Sequence, residues 1–394
     1  MEGWVIPYLD FNATTPVAPA VLEVMLPWLG NEFGNPSSDY PKGKSAAEAL
    51  KRARTQLNSC LGGVGGSLIF TGCGTEANNL ALLGTFLPRL RGLGMIKRLL
   101  GRPGHLIVSA IEHPATMKAA LFLQGLGFGL TILDVNSQGF VDPKSIQKAI
   151  RHDTLMVSIM HANNEIGSIQ PISDIAQILK PRGILFHTDA AQTLGKIPVD
   201  VNALGVDLLS ITGHKFYAPK GIGALWVRDG VSLEPILHGG GQEKGLRSGT
   251  ENVAFAVGMA EAAQIATRDL AEVSLRMKTL RERLWQALAG PLGDRLKRTS
   301  DPEQTLPNTL HFCVRNARGG DILAAARDLQ ASTGSACHAG EDRPSAVLCA
   351  MQYPWEWSLG SIRMSLGKST TESEIDEAAK LLVHAVQSSP PTNR

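Results

Sequence analysis

Two residue types stand where they could do carbonyl chemistry. Lys215 closes the string Ser210-Ile211-Thr212-Gly213-His214-Lys215, and Asp189 lies upstream within Phe186-His187-Thr188-Asp189-Ala190-Ala191-Gln192. A lysine amine forms a Schiff base with an aldehyde, and an aspartate ending an apolar strand holds a pyridinium nitrogen protonated. The pair reads as a pyridoxal phosphate site. A third string, Thr71-Gly72-Cys73-Gly74-Thr75-Glu76, is a Gly-rich turn before an Ala/Leu/Asn-rich stretch. Helix-start amides and the positive end of the helix dipole can receive a phosphate there, with the Thr75 hydroxyl as a further donor. Such turns are usually plain connections; Thr212 and His214, beside the lysine, supply the additional donors that favour the phosphate reading.

The elements that must carry these residues follow from the apolar pattern. Short β-branched runs at Ser67 to Phe70, His105 to Ser109, Leu130 to Asp134, Leu155 to Met160, Ile184 to His187 and Val206 to Ile211 alternate with helical patterns. This alternation predicts βαβ units and a mainly parallel sheet covered on both faces. Asn252 to Ala289 reads as a long helical stretch with a break near its middle. Beyond it, strands at Asn308 to Val314 and Ser361 to Leu366 mix with helices at Gly320 to Leu329, Pro344 to Met351 and Glu372 to Gln387. The expected architecture is an α/β domain over residues 15–255 and a smaller α+β domain formed by 1–14 and 256–394.

Composition narrows the function classes. The chain has 394 residues, 43% hydrophobic and 19% charged, enough for two domains with their own cores. A net charge of +2 without a basic stripe, and only 5% aromatics, argue against a nucleic-acid surface. The start Met1-Glu2-Gly3-Trp4-Val5-Ile6-Pro7 lacks the features of a signal peptide, and no apolar run suits a membrane span, so a cytoplasmic protein is expected. Five cysteines, at 60, 73, 313, 337 and 349, form no CxxC pair, so neither a disulfide framework nor a metal site is expected. Cys60, Cys313 and Cys349 sit in apolar contexts and are expected in the core.

Further strings extend the pattern over nearly the whole chain. They are Tyr8-Leu9-Asp10-Phe11-Asn12-Ala13-Thr14-Thr15-Pro16, Gly34-Asn35-Pro36-Ser37-Ser38, Glu112-His113, and His161-Ala162-Asn163-Asn164-Glu165-Ile166-Gly167. Arg247-Ser248-Gly249-Thr250-Glu251-Asn252, Ser332-Thr333-Gly334-Ser335-Ala336-Cys337 and Arg363-Met364-Ser365-Leu366-Gly367 complete the series. In this order they resemble the cysteine desulfurases and selenocysteine lyases, class V enzymes of pyridoxal phosphate fold type I. The resemblance implies a seven-stranded, mainly parallel sheet in the large domain, a homodimer, and a place in sulfur metabolism such as iron–sulfur cluster assembly.

It also implies roles. Lys215 would carry the cofactor and move the substrate α-proton, Asp189 would pair with the ring nitrogen, and Gln192 would bond the ring hydroxyl. Their plain alternatives are a surface lysine, a helix N-cap and a helix-surface glutamine. His113 would stack on the ring and shuttle a proton, although a histidine before Pro114 also suits a helix start. Gly74, Thr75, Thr212 and His214 would hold the phosphate, with Thr250 reaching the phosphate of the partner subunit. Asn163 would bond near the ring hydroxyl or substrate carboxylate, Arg363 would clamp that carboxylate, and Asn35 would be a softer substrate contact.

Cys337 would be the catalytic nucleophile. Its flanks, Ser332 to Ala336 and His338 to Pro344, are small, polar and Gly-containing, as an exposed loop would be. The expected reaction removes sulfur from L-cysteine as a persulfide on Cys337 and leaves L-alanine, a sulfur-acceptor protein then taking the sulfur. L-selenocysteine is the alternative substrate, a dedicated selenocysteine lyase the alternative enzyme, and a non-catalytic scaffold for sulfur acceptors the reading from another class. Pro344-Ser345-Ala346-Val347-Leu348 looks closer to the lyases, while Ser335 and Lys244-Gly245-Leu246-Arg247-Ser248 look more like desulfurases. Cys73 stands where such enzymes commonly have glycine. A positive φ there would strain the turn.

Overall fold

The computed structural model describes residues 6–90, 104–334 and 344–389. Its larger sheet comprises β1 (Gly66–Thr71), β2 (His105–Ser109), β3 (Gly129–Leu133), β4 (Thr154–Ser158), β5 (Leu185–Asp189), β6 (Leu208–Thr212) and β7 (Gly223–Arg228). They lie in the order β1-β7-β6-β5-β4-β2-β3. Pairing is parallel from β6 through β5, β4 and β2 to β3, and β7 runs antiparallel to both β1 and β6. Every residue of β2, β6 and, apart from Leu185, β5 is buried, as expected of strands with helices on both faces.

Local chemistry starts the helices around this sheet. His113 caps Pro114–Gly125, with the proline in the first turn where its missing N–H costs nothing. Asp142 and Asp200 accept amide N–H groups of the helices Pro143–Ala149 and Val201–Leu204. A Thr371/Glu374 capping box opens Glu372–Ser388. The helical stretch expected over 252–289 is two helices, Val253–Arg268 and Leu270–Leu292, divided at Asp269.

The smaller sheet is antiparallel, β8 (Leu296–Arg298), β9 (Thr309–Val314) and β10 (Ser361–Ser365), in the order β10-β9-β8. Leu310, Phe312, Ile362 and Met364 join Leu284, Leu288, Ile375 and Leu382 in one core. Ala256, Met259, Ala260 and Ala263 of Val253–Arg268 belong instead to the large-sheet core. We therefore propose that the domain division falls at Asp269 rather than at 255/256. Leu9 lies in the small core, and Asp10 bridges Ser365, so the N-terminal segment crosses from the small domain to the large one.

The cysteine expectations divide. Cys313 is buried and its thiol is pushed up by burial, and Cys60 packs partly buried against the large core. Cys349 is exposed, contrary to expectation, because the short helix Ala346–Ala350 turns Val347 and Leu348 inward instead. No described helix is long and apolar enough to cross a membrane.

Candidate active site

The strand ends meet over Lys215. β6 runs into a single 3-10 turn, Gly213–Lys215, which reverses the chain and presents the lysine side chain. Its Nζ donates to the carbonyls of Asn12 at 2.5 Å and Ala13 at 2.7 Å. Burial pushes the amine down to about 8; the Arg363 cation adds to this, while Asp10 and Asp189 oppose it. An amine held there is about one-tenth unprotonated at pH 7, far more than an ordinary lysine, as a nucleophile and proton carrier needs.

Asp189, the last residue of the adjacent β5, is 8% exposed. Oδ1 accepts the Ala191 N–H at 2.9 Å and Oδ2 accepts Asn78 Nδ2 at 2.6 Å. Asn78, on the helix Gly74–Phe86, was not singled out from sequence; an Asn-Asn pair inside an Ala/Leu helix was the available signal. Its other amide atom, Oδ1, is buried without a partner.

His113 combines both sequence readings. It is the N-cap of its helix, Nδ1 accepting the Ala115 N–H at 3.1 Å, and its ring is exposed within the electrostatic reach of Asp189 and Lys215. The accepting Nδ1 assigns the proton of the neutral ring to Nε2. Although solvent reaches it, protein atoms packed around the ring partly desolvate its charged form and lower its pKa, while Asp189 raises it and Lys215 lowers it further. Beside it, Glu112 accepts from Ser109 Oγ at 2.6 Å and Met160 N at 2.9 Å; burial raises its carboxyl to about 8.

The phosphate turn packs against the lysine turn. A Cβ on Gly74 would lie 3.0 Å from Thr212 Cβ, so these two expected phosphate residues are in contact. Thr75 is exposed at the start of the helix Gly74–Phe86. Cys73 has φ −173°, ordinary extended backbone, so the position does not need a positive φ and any side chain fits that conformation. Glu76 folds back to accept the Gly72 N–H at 2.8 Å and pairs with Arg247 Nε at 2.9 Å. Arg247 leads to Thr250, which is exposed on the same loop. The loop is anchored by Glu243, which accepts from both Arg54 guanidinium ends at 2.7 Å and from Phe70 N at 2.9 Å. Those contacts hold Glu243 and Lys244 at φ 48° and 59°, a region costly for side-chain-bearing residues. His214 Nδ1 lies 3.1 Å from Thr14 Oγ1, and burial, with Lys215 and Lys220, lowers its pKa to about 4.

On the opposite side Arg363, in β10, is 3% exposed. It donates to Asp10 Oδ1 at 2.6 Å and to the carbonyls of Asn164 at 2.9 Å and Gly334 at 3.4 Å; its Nε is buried without a partner. Asn163 is spent on its own turn, Oδ1 accepting from Glu165 and Ile166, and Nδ2 donating to Ile111 O. Both ends of the amide thus hold the turn, and beside the bond to Ile111 O, Nδ2 has only a weak contact to Met160 Sδ at 3.5 Å. Gln192 donates to Asn12 O at 3.0 Å and accepts from Lys196 at 2.8 Å, which leaves one amide hydrogen for the expected ring contact. Asn35 is exposed and accepts only the local Ser37 N–H in its side-chain bonding, without a bond to Arg363 among the described residues. Cys337 lies outside the described residues.

These residues fit a pyridoxal phosphate: a carboxylate for the ring nitrogen, a partly neutral lysine, a flat histidine, and open helix amides against Thr212. The orphaned Nε of Arg363 suits a carboxylate-bearing substrate. The family "Aminotransferase class-V" matches residues 7–378. Cysteine desulfurase IscS of Dictyoglomus turgidum is 41% identical over 382 residues, covering 96% of this chain and 94% of the relative. Cysteine desulfurase IscS of Methanosarcina thermophila is also 41% identical, covering 96% and 92%. A solved NifS-like protein superposes with a TM-score of 0.87 at 35% identity, over 96% of this chain and 99% of that one. The NifS-like protein of Rickettsia africae gives 0.85 at 30% identity, with the same coverage. Matches of this extent, on a lysine-centred site of this chemistry, place the chain in the cysteine desulfurase family of pyridoxal phosphate-dependent class V enzymes.

Proposed function

We propose that this protein removes sulfur from L-cysteine, giving L-alanine and a persulfide on Cys337. The observation that carries the reading is the position of the Lys215 amine, within the fields of Asp189 and of the Arg363–Asp10 pair. Bound pyridoxal phosphate supplies the electron sink that makes the substrate Cα–H acidic. Asp189, fixed by Asn78 and Ala191, would pair with the ring nitrogen. Gly74, Thr75, Thr212 and His214 would hold the phosphate, and Thr250 would do so across a homodimer.

Arg363 binds the substrate carboxylate, oriented by its bond to Asp10. Lys215, with its pKa lowered to about 8, takes the α-proton, and His113, whose Nδ1 bond leaves the proton on Nε2, is a second proton carrier. The Cys337 thiolate then attacks the substrate sulfur: an S–S bond forms, the Cβ–S bond breaks, and its electron pair returns to the carbon fragment that is protonated to alanine. The persulfide sulfur passes to an acceptor protein, and we place the reaction in the cytoplasm. L-selenocysteine is accepted as well: its weaker Cβ–Se bond breaks with the electron pair left on the carbon fragment, which is protonated to alanine, and selenium leaves at the zero-valent level.

Cys337→Ala tests the assignment. Alanine release from cysteine should fall by at least about a thousandfold, as for loss of a covalent nucleophile, while selenocysteine turnover should persist in part. Full retention with cysteine would refute the nucleophile role, and equal collapse with both substrates would refute the distinction between them.

A further inference from the structure

Lys196 is a lysine in an unusual place. It is 6% exposed, and Nζ donates to Asn12 Oδ1 at 2.9 Å and Gln192 Oε1 at 2.8 Å, two neutral amide oxygens. Lysine is seldom buried this deeply. Asn12, 1% exposed, is the hub of the network. Its Oδ1 also accepts from Asn308 at 3.0 Å, and its Nδ2 donates to Thr309 Oγ1 at 2.9 Å and Asn164 O at 3.3 Å. Its backbone N–H donates to Ser365 Oγ at 2.9 Å. The remaining polar group, the Asn12 carbonyl, is the one that receives Lys215.

We propose that Lys196 is a positioning residue for Lys215: it fixes Asn12, whose carbonyl forms with that of Ala13 a dock for the lysine amine whenever that amine is not joined to the cofactor. The dock faces both domains, since Asn308, Thr309 and Ser365 hold Asn12 from the small sheet while Gln192 and Lys196 hold it from the large one. Burial, the Lys215 cation and the Arg363 cation together drive Lys196 well below the ordinary lysine value. A neutral amine has two N–H donors, which matches the two acceptors present and adds no third cation beside Lys215 and Arg363. The charged groups acting on Lys215 itself are then Arg363, Asp10 and Asp189.

The inference rests on Lys215 being the cofactor lysine, and its test separates the two claims. Cofactor-free protein is mixed with saturating pyridoxal phosphate, and growth of the visible cofactor–lysine band is followed across pH in wild type, Lys196→Met and Lys215→Ala. Methionine keeps the length of the side chain and borders a cavity of about 510 Å³ that Lys196 also lines, so crowding is not expected. In Lys196→Met the band should still form, but its limiting rate at high pH should fall about tenfold, as expected for a displaced reactive group. The midpoint should also move below the wild-type one, because carbonyl acceptors favour the charged amine. An unchanged rate and midpoint in Lys196→Met would overturn the dock, even with an altered melting temperature. A band of equal growth in Lys215→Ala would overturn the underlying assignment instead. If Lys196→Met does not fold, Asn12→Ala carries the same test with the same two outcomes.

Discussion

The phosphate turn is shaped by a glycine on a neighbouring strand, and adding one carbon there should weaken cofactor binding. Gly223, in β7, pairs with Thr71 of β1 on one side and Thr212 of β6 on the other. A Cβ at this position would lie 2.6 Å from the Cys73 carbonyl carbon, 2.8 Å from its oxygen and 2.8 Å from Gly74 N. These are backbone atoms, so no rotamer change relieves the clash, and the turn must retreat by about 0.8 Å to reach ordinary contact. That exceeds the window of about 0.5 Å over which N–H···O bonds keep their strength. Losing one bond to a charged phosphate costs about 1.5 to 3 kcal/mol, so Gly223→Ala should raise the cofactor dissociation constant by about 10- to 150-fold. Absorbance titration of cofactor-free protein with pyridoxal phosphate measures it. Gly290→Ala is the control, since a Cβ there meets nothing within 4 Å. Wild-type affinity in folded Gly223→Ala would refute the reasoning.

Two further outcomes are expected. The folded-state pKa of Glu112, about 8, lies above its ordinary carboxylate value of 4.5, so its stabilising contribution is complete below pH 4.5 and is lost as pH rises toward 8. The melting temperature of Glu112→Gln should therefore gain on that of wild type across this window, and parallel curves would contradict the buried, protonated carboxyl. Thr250→Ala should lower cofactor affinity by about 1.5 to 3 kcal/mol in a homodimer, as read by sedimentation and absorbance titration together. A wild-type monomer with full cofactor occupancy would contradict the shared site.

What the sequence disclosed is what short strings encode. Lys215 and Asp189 were legible because strand-terminal residues carry the chemistry of an open α/β sheet, and the apolar run before each marks the strand. Asn78, Asn12 and Lys196 were not, because their roles depend on contacts between distant segments: Asn12 meets Lys196 and Asn308 across the domain junction. β7 was missing from the strand runs, although Gly223-Ala224-Leu225-Trp226-Val227-Arg228 has the β-rich composition of a strand. At Asn163 and Gln192 the sequence also hides how much of each amide the protein itself engages: both ends of each hold neighbouring segments. The division we propose at Asp269 is hidden from the sequence because the helices on either side share composition and differ in which core they cover.

The central claim is that Lys215 joins the cofactor and drives loss of sulfur from cysteine. It is tested most directly by recording, on the same preparations, the visible cofactor band and alanine release from L-cysteine for wild type and Lys215→Ala. The account predicts a yellow wild-type enzyme that forms alanine, and a Lys215→Ala protein that has neither the lysine-linked band nor turnover. Alanine formation at the wild-type rate by Lys215→Ala would contradict it.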